Sequence, residues 1–486
     1  MQVNLSDFEP KHLWKHFDEI RKIPRCSGDE KAVADYIVSV AKKHGCEYKR
    51  DSVNNVVIRV PASPGKENAP VIILQGHMDM VGEKDSHIQF DFTRDPIQLR
   101  LDGDWLMAQG TTLGADNGVG IAAGLAILED DSMVHGPLEL LFTVDEETGL
   151  TGASHIEPGL LAGKTLLNLD SEEEGVFFIG CAGGENTYAR FPKTAGTSAS
   201  SGSGFKLTVS GLKGGHSGLD INLHRGNAIL FLTRMLWAAN RRISFDLANF
   251  NGGNKTNAIP REAFAEVIVP DDQIETFNQI VEKVFQDIQT EYKTVEKNIR
   301  LDISKPEKTS AKPIAADLQN RLLNFLTAVP HGILEIHPEI QGLVETSNNL
   351  AKIEFSDDVI EVALSSRSSI NSALHFVSQK LKALCELAGA EANQPAGYPG
   401  WTPNLDSPVL KVAKETYQKV VGKEPRMEAI HAGLECGILS EKYPNLDMVS
   451  FGPQIEHPHS PEERVNIPSV ARFYKLLAAL LEALAA

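Results

Sequence analysis

At 486 residues the chain is too long for one ordinary core, and about two or three domains are expected. Apolar residues make up 42% and charged residues 23%, near the globular average, which excludes a disordered chain. The formal net charge of -18, with no concentrated basic face, excludes nucleic acid as a partner.

The opening stretch 1–15 is polar and holds Asp7, Glu9 and Lys11, which reads against a signal peptide. Apolar positions at helical spacing predict helices over 10–23 and 29–44. Short β-branched runs at 56–60 and 71–75, then 138–144 and 165–170, predict strands, with a helix over 115–129 between them. Strands alternating with helices indicate an α/β layer with a largely parallel sheet.

The character changes near Phe191. Residues 194–203 are rich in Ser, Gly, Thr and Ala, and read as a linker or exposed loop. A strand over 205–210, a helix over 227–240, a strand over 263–269 and a long amphipathic helix over 271–293 follow. Strands at 351–355 and 359–365 flank Ser356, Asp357 and Asp358, a hairpin signature. A further helix is expected over 370–387. The run 393–404, with three prolines and two glycines, reads as a return linker. The chain then resumes α/β character, with a helix over 408–421, a strand over 447–451 and an apolar helix over 467–484.

The expected fold is therefore α/β: a mixed-sheet catalytic domain (1–188 and 397–486) interrupted by an inserted α+β domain (189–396). No apolar run reaches the ~18 residues that a membrane span needs. The five cysteines, Cys26, Cys46, Cys181, Cys385 and Cys436, are scattered and form no C-x-x-C pair. That usage fits a reducing compartment, and a cytoplasmic location is expected.

Acidic and histidine residues recur at the predicted strand ends. His77-Met78-Asp79 directly follows the predicted strand at 71–75, and residues two apart share a side of a strand. His77 can bind a metal while Asp79 orients its ring. Asp116 sits where a loop becomes a helix, which is also an ordinary place for a capping aspartate. Glu146-Glu147 follows the strand at 138–144, where one carboxylate can bind metal and the other can take a proton from water. Alone, the pair is equally a solvated acidic turn. Asp170 closes another strand and is followed by Ser171 and three glutamates. Near the end, His457 and His459 in EHPHSP compete for one role.

Each feature alone is ambiguous, but together they lie where open α/β sheets bind ligands, outside the carboxyl ends of the strands. Histidine nitrogens with carboxylate oxygens suit zinc, with cobalt or manganese as substitutes. Two metals ~3.5–4 Å apart can share a carboxylate and a water whose pKa falls to ~7.

At this point the residues resemble the dinuclear zinc peptidases, the group of carnosinases, aminoacylases and glutamate-releasing carboxypeptidases, and within it the aminoacyl-histidine dipeptidases. The resemblance runs over nearly the whole chain, through LQGHMDM, TTLGADNG, VDEETG, NLDSEEEG, GCAGG, GLKGGHSG, TNAIPREAFA, AGYPGW, HAGLECG and PHSPEERV. It implies that Asp116 bridges two zinc ions per subunit, with His77 and Asp170 completing one site and Glu147 and His459 the other. His459 is preferred because the ligand directly precedes Ser-Pro in the family. It further implies Asp79 as the residue that orients His77, Glu146 as general base, and His216 of Gly214-Gly215-His216-Ser217-Gly218 as an oxyanion contact. That glycine-rich stretch lacks the Gly-Lys-Ser/Thr of a phosphate loop, so a nucleotide-binding reading has little support.

By the same resemblance Arg367 would hold the substrate's free carboxylate, Asn257 would be a second substrate contact, and Gly433 would let backbone approach the ligand. The inserted domain would be a lid that also mediates homodimerisation. The implied reaction is hydrolysis of dipeptides, including Xaa-His types such as carnosine, by a metal-activated water. A tripeptidase, an aminoacylase or a carboxypeptidase would keep the same metal site. A non-catalytic metal-binding protein would not need Glu146.

Overall fold

In the computed structural model, which describes residues 3–196, 202–305 and 312–486, the apolar runs near 72, 138 and 165 form adjacent parallel strands. Ile72–His77 lies between Leu138–Thr143 and Thr165–Asn168, and Asp447–Ser450 continues the parallel set. All six residues of both Ile72–His77 and Leu138–Thr143 are buried, as expected of strands covered on both faces. Antiparallel strands extend this sheet on either side, Val56–Val60 with Glu47–Arg50 on one and Val176–Cys181 on the other, where Arg426–Ile430 forms the edge. The sheet is therefore mixed, as the sequence implied, with its parallel strands in the middle.

The helix Ala115–Ile127 buries all of its residues, which requires cover on every side. Lys11–Ile20 and Lys31–Lys43 instead bury single stripes, such as Leu13, Trp14, Phe17 and Ile20 on the first. A four-stranded antiparallel sheet, Ile455–Glu456, Arg464–Asn466, Trp105–Ala108 and Leu99–Asp102, went unread in the sequence. Its strands have four residues or fewer, too short for alternation to register.

The chain divides into two compact units. The first comprises Met1–Gly180, Pro403–Ala429 and Leu434–Ala486; the second comprises Cys181–Thr402 with Ile430–Gly433. The second unit is thus inserted in the first. Its break falls before 188 because Gly183–Pro192 pairs along its length with Val359–Ser368.

The second unit is built on a nine-stranded sheet whose pairings are antiparallel. Alternate residues of Ala263–Pro270 are buried, and Ala263, Ala265, Val267 and Val269 join a core with Phe231, Leu322 and Leu381 from three helices. The expected hairpin is present: Val344–Phe355 and Val359–Ser368 pair antiparallel around residues 356–358. The helix Ala316–Ala328 was missed, although Leu318, Leu322, Leu323 and Phe325 form a helical stripe.

Two expected linkers differ from the reading. Of 194–203, residues 197–201 lie outside the described residues, and the following strand begins at Gly202. The segment 393–404 is not a loose return. Tyr398 exchanges backbone hydrogen bonds with Gly184, and Trp401 with Cys181. Prolines keep that segment from forming a regular strand, but the amides of Tyr398, Gly400 and Trp401 still find partners.

Candidate active site

Because three central strands run parallel, their carboxyl ends share one edge of the sheet. His77 ends the first strand in register with Thr143, so Glu146 and Glu147 leave the sheet beside it. Asp170 follows the neighbouring strand Thr165–Asn168. Asp116 stands at the start of Ala115–Ile127, after Gly114, whose φ of +69° is in the region that favours glycine. The Asp116–Asn117 peptide is cis. His459 lies in the loop between the paired strands Ile455–Glu456 and Arg464–Asn466. All five expected metal ligands thus belong to the first unit, and the structure brings them together.

Asp116 occupies the centre. Its Oδ1 lies 3.0 Å from Nε2 of His77, and its Oδ2 lies 3.2 Å from Nε2 of His459. His77 Nε2 is also 3.1 Å from Asp170 Oδ1, and His459 Nε2 is 2.9 Å from Glu147 Oε2. Two donor sets, His77–Asp116–Asp170 and Asp116–Glu147–His459, each have ligand atoms within 4.8 Å of one another, and His77 also groups with Glu146 and Glu147. The sets share Asp116.

This arrangement fits a pair of cations on the chemistry of its own atoms. One imidazole N–H cannot serve two carboxylates, yet Nε2 of each histidine faces two. Glu147 Oε1 is buried without a hydrogen-bond partner among the described residues, and Asp170 Oδ1, 3.1 Å from the shared Nε2 of His77, makes no aligned hydrogen bond. A cation placed among such donors satisfies them all. Histidine nitrogen with carboxylate oxygen is a ligand set of the zinc type.

The electrostatics agree. Burial, reinforced by Asp170, Glu435 and Glu147, pushes the Glu146 carboxyl well above the usual range, although His77 opposes it. Burial likewise lifts Asp170 to about 6 and Glu172 to about 9. Burial opposes ionisation of Asp116 too, but hydrogen bonds with His459 and His77 hold its carboxyl below the usual range. His77 rises well above its ordinary value despite burial, because Asp170, Asp116 and Asp79 surround it. His459, bonded to Asp116 and Glu147, rises to about 11.

Supporting residues fix these ligands. Asp79 lies 3.3 Å from Nδ1 of His77 and accepts the amide N–H groups of Glu146 (3.0 Å) and Glu147 (3.1 Å). It also accepts from Ser27 Oγ at 2.8 Å. These bonds outweigh the cost of burial and hold its carboxyl at about 2. One carboxylate therefore orients a ligand histidine and the Glu146-Glu147 pair together.

Sequence reasoning left three supports unassigned. Glu463 accepts four backbone N–H groups, of Leu113, Gly114, Ala115 and Asp116, at 2.6–3.3 Å. Buried Arg25 donates to the carbonyls of Met78 and Asp79, at 2.9 and 2.7 Å, and to that of Gly114. Glu435, fully buried, accepts from Gln75 Nε2 and Thr143 Oγ1, each at 2.6 Å. Glu435 and Glu463 stand inside quoted motifs, but a structural carboxylate leaves no periodic signal. Only its hydrogen-bond partners in the fold reveal it.

The other four expected residues lie in the second unit. His216 ends the short strand Gly215–His216, paired with Ala258–Ile259. Its Nδ1 accepts from the amides of Gly218 and Leu219, at 3.2 and 3.1 Å. Burial and Arg367 lower its pKa against the pull of Asp220. The ring is therefore neutral with its proton on Nε2, a hydrogen-bond donor. Asn257, in the preceding turn, has an exposed side chain; its carbonyl accepts the amide of Ser217 at 2.8 Å. Arg367 is 7% exposed and reaches Ser217 Oγ at 3.4 Å and Tyr398 Oη at 3.0 Å. Gly433 lies against the ring of Tyr398.

Comparison with known proteins places these features in a family. The model of peptidase family M20/M25/M40 matches residues 73–483, and the chain belongs to that family. It is 42% identical over 478 residues to the cytosol non-specific dipeptidase of Escherichia coli K12, covering 98% of each chain. It is similar to the crystal structure of aminoacylhistidine dipeptidase from Vibrio alginolyticus, with 42% identity, a TM-score of 0.92, and coverage of 99% and 98% of the two chains. Aminopeptidase PepT from Bacillus cereus shares the fold, at 15% identity and a TM-score of 0.57 over 99% and 100% of the chains. Among the described residues no helix is long and apolar enough to cross a membrane.

Proposed function

We propose that this protein is a dipeptidase of the M20 type that works with two zinc ions per subunit, cobalt or manganese substituting. The observation that carries this reading is the placement of Asp116, each oxygen facing a different histidine–carboxylate pair. His77 and Asp170 would hold one ion with Asp116; Glu147 and His459 would hold the other. Bound there, a pair of divalent cations supplies an acidified water and a Lewis acid for the substrate carbonyl.

The chain's own residues do the rest. Glu146 is no expected ligand, its amide is pinned by Asp79, and its carboxyl is raised by burial. A base so raised takes a proton from the attacking water and passes it to the leaving amine. His216 offers an Nε2–H to the oxygen where negative charge develops. Arg367 takes the substrate's free carboxylate, whose two oxygens match a guanidinium fork. Asn257 and Gly433 would line the substrate beside it.

The inserted unit would act as a lid and homodimer contact, and the protein would reside in the cytoplasm. The relatives named as dipeptidases, at 42% identity over nearly the whole chain, support the substrate class. Metal analysis of purified protein, paired with a panel of carnosine, other dipeptides, tripeptides and acyl-amino acids, tests it. Two equivalents of zinc with turnover confined to dipeptides is the expected result. Turnover confined to tripeptides or acyl-amino acids would replace the substrate class, and turnover that survives complete chelation would remove the metal reading. Sedimentation at micromolar concentration tests the dimer.

A further inference from the structure

Arg367 is buried with uncharged groups against its guanidinium. Its side chain is 7% exposed, and among the described residues no carboxylate lies within ion-pair distance of its guanidinium. Buried arginines ordinarily have such a partner. Two of its five N–H donors are used, one on Ser217 Oγ and one on Tyr398 Oη, both uncharged acceptors.

The strand register shows how this environment is built. Arg367 stands opposite Ser347 on one neighbouring strand and opposite Gly184 on the other. Residues directly opposite share a face, so these two positions flank the guanidinium. Ser347 is already engaged, its Oγ 2.7 Å from Nε2 of His431. Burial, with Arg367 and His216 nearby, holds His431 at about 3, so that imidazole is uncharged. Gly184 supplies no side chain, and Tyr398 fills the space.

The tyrosine is fixed at both ends. Its backbone pairs with Gly184, N to O at 3.0 Å and O to N at 2.9 Å. A Cβ on Gly184 would stand 2.7 Å from its ring, and a Cβ on Gly433 would also stand 2.7 Å from it. Real Cβ atoms do not approach so closely, so both positions must be glycine for the ring to lie there. Three otherwise separate motifs, GCAGG, AGYPGW and HAGLECG, thus meet around one hydroxyl.

We propose that Tyr398 is a positioning residue that holds the Arg367 guanidinium in a carboxylate-free cage, its remaining N–H donors free for the substrate's terminal carboxylate. The inference rests on Arg367 being the carboxylate contact. Tyr398 touches no reacting atom. It removes the rotamer freedom that a long arginine otherwise loses on binding.

The test is steady-state kinetics of Tyr398→Phe and Arg367→Ala holoenzymes on one dipeptide and on its C-terminal amide. Tyr398→Phe keeps the ring that packs on Gly184 and Gly433 and removes one hydrogen bond to a charged group. Its KM for the dipeptide should rise roughly tenfold, with kcat and metal content unchanged. Its kcat/KM for the amide, which lacks the carboxylate, should match wild type. Equal effects on acid and amide, or an unchanged KM for the dipeptide, would overturn the role of Tyr398. Arg367→Ala separates the two ideas. If its loss of kcat/KM is the same for acid and amide, the assignment of Arg367 is wrong. If its loss falls on the acid alone while Tyr398→Phe affects both equally or neither, only the positioning role is lost.

Discussion

Glu146 and Glu147 are adjacent in the chain yet face different tasks. Glu147 presents Oε2 to His459, whereas Glu146 makes no ion pair with either histidine. Replacing Glu146 by Gln should therefore leave two metals bound, as atomic absorption would show, while turnover falls ~10²–10⁴-fold. Near-normal turnover would remove the general-base role. Asp116→Ala should lose metal as well as activity, since among the described residues Asp116 alone lies within ion-pair distance of both histidines; full zinc occupancy in that variant would end the bridging role. Glu463 offers a different kind of test. Its carboxylate is the acceptor for four buried amides at the turn that presents Asp116. Glu463→Ala strands those donors at ~1–3 kcal/mol each before relaxation, so a loss of several kcal/mol in denaturant unfolding is expected. Metal should also exchange faster from that variant. A loss under ~1 kcal/mol would show that water replaces the carboxylate without cost.

At the scale of elements, the helix Ala115–Ile127 links the site to a second polar cluster. Asp116 stands at its start. Just past its end, Glu129 meets Lys15 at 2.5 Å and Lys43 at 3.0 Å, from the two helices Lys11–Ile20 and Lys31–Lys43. Buried His16 faces the same carboxylate at 3.9 Å and meets Tyr36 Oη at 2.8 Å, with His12 also near. Burial lowers the His16 pKa from 6.5 to about 4; the pull of Glu129 does not compensate, and Lys15, Lys43 and His12 add to the lowering. Between those values the unfolded chain binds more protons than the native one, so stability falls as pH falls. The stability is complete above 6.5 and lost by about 4, to a limit of roughly 3 kcal/mol. Unfolding curves of wild type and His16→Gln across that window should converge as pH drops. Parallel curves would show that His16 is not the group that titrates. This cluster carries no sequence signature, because its members are spread from 12 to 129 and share neither period nor motif. The strand ends at His77, Glu146 and Asp170 were legible for the opposite reason: an apolar run announces each strand, and the chemistry follows directly. His459 was legible only through its motif, since the strands that hold its loop are two and three residues long.

At the scale of the whole molecule, the second unit has a core made from its own residues. The cluster around Phe231, Leu322 and Leu381 draws only on residues 189–385, all in the second unit. Every expected metal ligand lies in the first unit, from His77 to His459. Metal bound to the native state alone stabilises it by mass action, ~4 kcal/mol when free metal is a thousandfold above its Kd. For a unit of this size that corresponds to about 10 °C in Tm. Calorimetry of the holoprotein before and after chelation should therefore show one transition moving down by about that amount and another staying in place. The moving transition should be the one that Glu463→Ala also lowers, since Glu463 belongs to the same unit. The stationary one should respond to a cavity in the second core, such as Leu322→Ala, at ~2–5 kcal/mol. If chelation moves a single transition that both substitutions also move, the two cores unfold as one cooperative body, and the metal pair stabilises the inserted unit as well as its own.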